Sequence, residues 1–254
     1  MTGAPISRIR PLHTGHYTMP STDTRFPNDR IIVRAFLIEH PRGLFLMDTG
    51  FSPDDRTALE TFAPVHIRPI RSVLAEHGIR PDDVHLIANC HFHSDHSGGN
   101  HEFPGVPIFV QRAEVAHLRA TPAYTHAPSV ADFPGAHLEE IDGDAEPLAG
   151  IRIIPTPGHS PGHQSLVVET KEGRVILGGQ AFNFASDYAR QRYSLELALR
   201  GEPHGPYPEW VARFHELDPW RVYFAHDTAV WQRDAAPAPY VSVEPGIPNH
   251  GVIS

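Results

Sequence analysis

A single cysteine, Cys90, stands in 254 residues. It excludes an internal disulfide and any cysteine-rich zinc module. No run approaches the roughly 20 apolar residues of a membrane span. The first 17 residues carry basic side chains but no apolar h-region, so no signal peptide is read and the expected compartment is the cytoplasm. Basic residues are scarce: 21 Lys and Arg face 30 Asp and Glu, a formal charge of −9 that argues against non-specific nucleic-acid binding. No low-complexity run, fixed-period repeat or convincing linker divides the chain, which reads as one domain over residues 1–254. Hydrophobic residues, at 40%, suffice for a sizeable core.

Two residue types are abundant. Proline, at 26, is about twice its usual share and predicts a loop-rich fold. Histidine, at 19, is high enough that a cluster among them would mean metal.

Residues 31–38 and 44–47 are apolar around a His40-Pro41-Arg42-Gly43 turn and predict a β-hairpin ending at Asp48-Thr49-Gly50. Ser52-Pro53 reads as a helix start, and Ile67, Ile70, Val73, Leu74 and His77 follow helical spacing up to Gly78. Further strands are expected over 84–90, 107–111, 138–141, 151–154, 164–169, 174–177 and 221–225. Helices are expected over 112–119 and around Trp210, Val211, Phe214 and Leu217. Residues 1–30 read as an irregular arm, 121–133 as a loop over a site, and 233–254 as a proline-rich tail. The order fits two face-to-face sheets with helices outside, and equally a three-layer α/β fold.

The chemistry concentrates in His91-Phe92-His93-Ser94-Asp95-His96-Ser97-Gly98-Gly99-Asn100, just after a strand. Four potential ligands in six residues suit a divalent ion that accepts imidazole and carboxylate. In an extended segment His91 and His93 point the same way. A helix beginning at Ser94 would aim Asp95 and His96 elsewhere, so one segment could feed two ions. Thr156-Pro157-Gly158-His159-Ser160-Pro161-Gly162-His163 and Tyr223-Phe224-Ala225-His226-Asp227 place further histidines after strands. Cys90 reads as a small buried hydrophobe rather than a ligand.

These pieces resemble the metallo-β-lactamase superfamily, and within it the N-acyl homoserine lactonases. The hairpin ending Leu46-Met47-Asp48-Thr49-Gly50, the HFHSDHSGGN segment, TPGHSPGHQSL and YFAHD occur in that family's order. The resemblance implies an αβ/βα four-layer sandwich, two mixed β-sheets flanked by helices. It implies His91, His93 and His159 on a first metal and Asp95, His96 and His226 on a second, with Asp48 and His163 fixing their geometry. Zinc is the expected metal, one ion or two, with manganese, iron and cobalt suiting the same donors.

Two positions depart from the family. An aspartate that bridges the two ions is implied after residues 174–179, and the chain has Gln180. A tyrosine is implied three residues on, and the chain has Asn183. Gln180 offers one neutral oxygen to a metal. Losing a negative charge there should weaken the second site. The expectation is one ion, or a pair held by Asp95 and a bridging hydroxide.

The implied activity is hydrolysis of a lactone or related ester by metal-activated hydroxide; Asp95 would pass a proton, and the other metal or the Asn183 NH₂ would stabilise the oxyanion. The partner is a small-molecule lactone or ester, with no nucleic acid or membrane, and the arm and tail suggest a homodimer. Phe26, Phe51, Phe62, Tyr124, Phe133, Phe182 and Phe184 are candidates for an apolar pocket wall. A thioester hydrolase and a non-catalytic metal- or ligand-binding protein are the alternatives.

Overall fold

A computed structural model describes residues 8–19, 30–125 and 130–233. Two β-sheets lie face to face with helices on their outer surfaces, the αβ/βα sandwich that the resemblance implied. No helix among the described residues is long and apolar enough to cross a membrane.

The first sheet comprises β1 (Arg8–Thr18), β2 (Arg30–His40), β3 (Gly43–Met47), β4 (Val65–Ile67), β5 (Val84–Ala88), β6 (Ile108–Gln111) and β7 (Leu138–Ile141), in the order β4-β1-β2-β3-β5-β6-β7. Between them lie α1 (Arg56–Leu59), α2 (Ile70–Ala75), α3 (Ser94–Ser97) and α4 (Arg112–Ala120). The second sheet holds β8 (Ala145–Leu148), β9 (Ile151–Pro155), β10 (Gln164–Thr170), β11 (Gly173–Leu177), β12 (Arg221–Tyr223) and β13 (Val230–Gln232), in the order β13-β12-β11-β10-β9-β8. Helices α5 (Ala185–Leu199) and α6 (Glu209–Glu216) precede β12.

Strand alternation builds the layers. On β2, Phe36 and Ile38 face the opposite sheet and meet Leu166, Val168 and Leu177. Their neighbours Ala35 and Leu37 face outward onto Ile70, Val73 and Leu74 of α2. On the second sheet Val167 and Ile176 turn outward, under Tyr188 of α5 and Trp210 and Phe214 of α6. Leu37 is fully buried, and truncating it to Ala should cost about 2–5 kcal/mol.

The expected irregular arm over residues 1–30 is overturned for its central part. Residues 8–18 form β1, which pairs with β2 from Arg8↔Glu39 to Thr18↔Arg30. Pro11 is tolerated because β4 covers β1 only at Gly15–Tyr17, so the missing N–H at Pro11 interrupts no second ladder. Gly15 sits in a bulge at φ +143, where a Cβ would come within 2.2 Å of the His66 carbonyl. Residues 1–7 and 20–29, like the tail from 234 onward, lie outside the described residues. The helix expected from Ile67 is shorter, because Ile67 closes β4 and α2 begins at Ile70. The 15-residue α5 was not expected at all.

Candidate metal centre

Each candidate ligand sits where a strand ends. His91 and His93 follow β5, and Asp95 and His96 lie in α3, which begins at Ser94. His159 follows β9, Gln180 follows β11 and His226 follows β12. The first four come from one sheet and the others from the second, so the site lies across one edge of the sandwich.

Two groups form. His159 Nε2 lies 3.1 Å from His91 Nε2 and 3.1 Å from His93 Nδ1. His96 Nε2 lies 3.3 Å from His226 Nε2, and Asp95 Oδ2 is 3.6 Å from each of those nitrogens. Both triads meet the geometry of a common cation. Tetrahedral zinc with about 2.05 Å Zn–N bonds separates its nitrogens by about 3.3 Å.

The second nitrogens of the rings explain the orientation. Asp48 Oδ2 lies 3.0 Å from His96 Nδ1, while Asp48 Oδ1 accepts from the Cys90 N–H at 2.7 Å. His226 Nδ1 donates to the Ile32 carbonyl at 2.7 Å. Cys90 Sγ lies 3.1 Å from His91 Nδ1. With Nδ1 engaged behind, each of these rings turns its Nε2 toward the triad. Asp48 does this from φ +63, a backbone state Asp tolerates better than most residues.

His163 is different. Its Nε2 accepts from the Gln180 N–H at 3.1 Å and its Nδ1 lies 2.8 Å from Thr156 Oγ1. Both nitrogens are engaged, so His163 holds the start of the Gln180 loop and offers no free lone pair.

Burial keeps most of these imidazoles neutral. It takes His159 down to about 3, helped by His93 and His96, and His226 down to about 4, helped by His96. His91 is lowered well below its ordinary value, first by burial and then by His96, His93 and His159. Burial also lowers His96, but Asp95 and Asp48 outweigh it and lift it to about 9. At Asp95 burial pushes upward, and His96, His226 and His93 overcome it, so the net direction is down. The Cys90 thiol is raised by burial and then by Asp48, which keeps it neutral. Neutral imidazoles with lone pairs turned on each other at 3.1 Å are satisfied by a cation at the centre. The donor set therefore fits a divalent metal.

Gln180 Oε1 reaches 3.1 Å from His96 Nε2, beside the second triad. Gln180 Nε2 donates to Asn183 Oδ1 at 3.1 Å, which leaves the Asn183 NH₂ as the donor available to the cleft.

The cleft above has His93, Asp95, His159 and His226 on its floor, Gln180 and Asn183 at one side, and an apolar wall of Tyr17, Ile31, Ala58, Leu59 and Phe62. Of the described aromatic candidates only Phe62 lines it, since Phe51 is buried beneath Tyr17 and Phe133 packs behind the first sheet with Phe103. Phe182 packs on Trp210 and Phe224, Phe184 precedes α5, and Tyr124 packs against His93 with ring centroids 4.5 Å apart and planes tilted by 43°. Phe26 lies outside the described residues. Sequence reasoning missed Tyr17, whose strand was read as an arm, and the fully buried Glu114 of α4, which reads as an ordinary charged helix residue.

Comparison with known proteins points to one family. The model of the metallo-beta-lactamase superfamily matches residues 28–234. An N-acyl homoserine lactonase of Bacillus cereus is 31% identical over 210 residues, which cover 77% of this chain and 81% of that protein. Another N-acyl homoserine lactonase, from a Bacillus species, is 35% identical over 211 residues with the same coverage, 77% and 81%. A crystal structure of a Bacillus thuringiensis AiiA variant with N-decanoyl-L-homoserine bound at its active site has a TM-score of 0.65 and 26% identity, covering 89% of this chain and 95% of that one.

Proposed function

The chain belongs to the metallo-beta-lactamase superfamily, and on that premise we propose that it is a metal-dependent hydrolase that opens the ring of N-acyl homoserine lactones. The observation that carries the reading is the cleft itself, in which two cation-ready triads share a floor with an apolar wall suited to an acyl chain.

In this reading His91, His93 and His159 hold one divalent cation, and Asp95, His96 and His226 hold a second, with Gln180 Oε1 beside it. Zinc suits the donors best, and manganese, iron and cobalt suit them too. When bound, the metal supplies Lewis acidity, which activates water and polarises the lactone carbonyl. The residues of the chain do the rest. Tyr17, Leu59 and Phe62 hold the acyl chain and keep water from that side of the cleft. The Asn183 NH₂ donates to the carbonyl oxygen as charge develops there. Water oxygen bonds to the carbonyl carbon and the ring C–O bond breaks. Asp95, whose side chain is 10% exposed at the cleft floor, relays the proton from water to the leaving alkoxide. The product is an open hydroxy acid.

None of the described residues lining the cleft is Lys or Arg, which leaves the carboxylates of a glutathione thioester without a partner there. The test is to load purified protein with zinc or cobalt and follow acid release from N-acyl homoserine lactones of several chain lengths, beside aryl esters and thioesters. Lactone opening that a chelator abolishes is expected. A metal-loaded sample that opens no lactone overturns the proposal.

A further inference from the structure

Glu114 is fully buried in the first turn of α4, and its hydrogen-bond partners among the described residues are all neutral. Its Oε1 accepts from the Phe92 N–H at 2.9 Å and from the Tyr124 hydroxyl at 2.8 Å. Its Oε2 accepts from the Ser160 hydroxyl at 2.7 Å and from the Gly162 N–H at 3.0 Å. Four donors use the whole acceptor capacity of one carboxylate, and charge-assisted bonds of this length are the stronger kind.

The positions of the donors give the carboxylate its meaning. Phe92 lies between His91 and His93, and Ser160 follows His159. These loops come from different sheets and approach each other without a shared strand. Tyr124 lays its ring on His93 while its hydroxyl stays on Glu114. The approach is tight: a Cβ on Gly162 would meet the Glu114 backbone nitrogen at 2.2 Å. Each ligand of the three-histidine triad is thus next in sequence to, or in ring contact with, a residue that donates to this one carboxylate. The Asp95–His96–His226 triad has no contact with it, being held by Asp48 and the Ile32 carbonyl.

We propose that Glu114 is the positioning residue of the three-histidine triad, a buried carboxylate that fixes the spacing of two ligand loops and so sets the affinity of that site for its cation. The inference rests on reading the triads as metal sites. Replacing the carboxylate by an amide keeps its shape but turns one acceptor into a donor that faces donors, so Glu114→Gln should spread the loops. Losing a group that orients ligands from behind typically costs about 10- to 100-fold in metal affinity.

The test is a cobalt(II) titration of metal-free wild type, Glu114→Gln and Ser160→Ala, read by the visible ligand-field bands and by competition with a chelator. Thermal melts of the metal-free proteins run in parallel. Wild type should bind two equivalents, or one if only the first triad fills. Glu114→Gln should lose about 10- to 100-fold in affinity for the three-histidine equivalent and shift its absorption, leaving any second equivalent unchanged. Ser160→Ala, which removes one donor of four, should lose less in the same direction and carries the test if the amide variant does not fold. Variants that bind with wild-type affinity and an unchanged spectrum overturn the role of Glu114, even if their melting points fall. A folded wild type that takes up no cobalt overturns the metal reading and this inference with it.

Discussion

Gln180 points its side-chain oxygen at His96, 3.1 Å from Nε2, and is held there by the hydrogen bond that its Nε2 donates to Asn183 Oδ1. A neutral oxygen thus stands where the family resemblance implied a carboxylate. Two unit charges 4 Å apart interact by about 4 kcal/mol at an effective dielectric of 20, and desolvation removes part of that. Gln180→Asp should therefore bind the second cation at least about tenfold more tightly. Calorimetric zinc titration checks this, and an unchanged second step would show that Gln180 is no handicap to the site.

Asn183 lines the cleft and accepts from Gln180 through its side-chain oxygen, and in the proposed reaction its NH₂ is the oxyanion donor. Removal of one oxyanion donor costs roughly 10²-fold in turnover in comparable sites. Asn183→Ala should lower kcat by about that factor with little change in KM. Measuring cobalt affinity alongside separates this donor role from its grip on Gln180. Wild-type kcat in the variant would remove Asn183 from the chemistry.

Phe62 is 56% exposed and meets Tyr17 edge-on with centroids 5.3 Å apart, at the rim of the apolar wall. An acyl chain lying on that wall would bury the ring further. Phe62→Ala should raise KM about tenfold for long-chain lactones, from the partial loss of a 1.5–3 kcal/mol burial, and scarcely at all for short ones. A KM change independent of chain length would place the acyl chain elsewhere.

Asp55 gives a pH signature outside the metal centre. It is half-buried, its Oδ2 has no hydrogen-bond partner among the described residues, and burial followed by the nearby Asp54 lifts it to about 6. The folded chain therefore holds this proton more tightly than the unfolded chain. Ionisation costs nothing below the ordinary carboxylate range, costs progressively more as pH rises, and costs the full amount above about 6. Asp55→Asn should raise stability at pH 7.5 by on the order of 1 kcal/mol, after discounting for solvent screening. The gain should fade toward pH 4. Urea melts at both pH values would expose a pH-independent effect, which would refute the assignment.

Metal removal should be visible in stability as well as activity. A ligand held only by the folded state adds about 2.7 kcal/mol at 100 times its Kd. Thermal melts with and without chelator should differ by several degrees, and the difference should grow with free zinc. Identical melts would show that no cation is bound.

The sequence carries the ligand segment legibly because local rules decide it. His91 and His93 alternate on an extended run, and the helix at Ser94 turns Asp95 and His96 to the second triad. Strands such as β2 and β10 announce themselves by long apolar runs buried on both faces. Strand β1 does not, since Pro11, Gly15 and several charges punctuate it, and its pairing with β2 is settled by partners far along the chain. Helix α5 hides for another reason: only Ala185, Tyr188 and Leu195 are buried in 15 residues, a stripe too narrow to stand out. Glu114 is the plainest limit. Nothing in Gln111-Arg112-Ala113-Glu114 marks a carboxylate that will collect four donors from three segments, because that only exists once the segments meet.

His226 comes after the last described helix and far behind the other five imidazole and carboxylate donors, yet the Ile32 carbonyl near the opposite end of the described chain is what aims it. A chain cut just before His226 keeps the other five donors and still lacks a complete second triad. If that triad takes a cation, such a truncated product is expected to be told from a longer one by its failure to hold it.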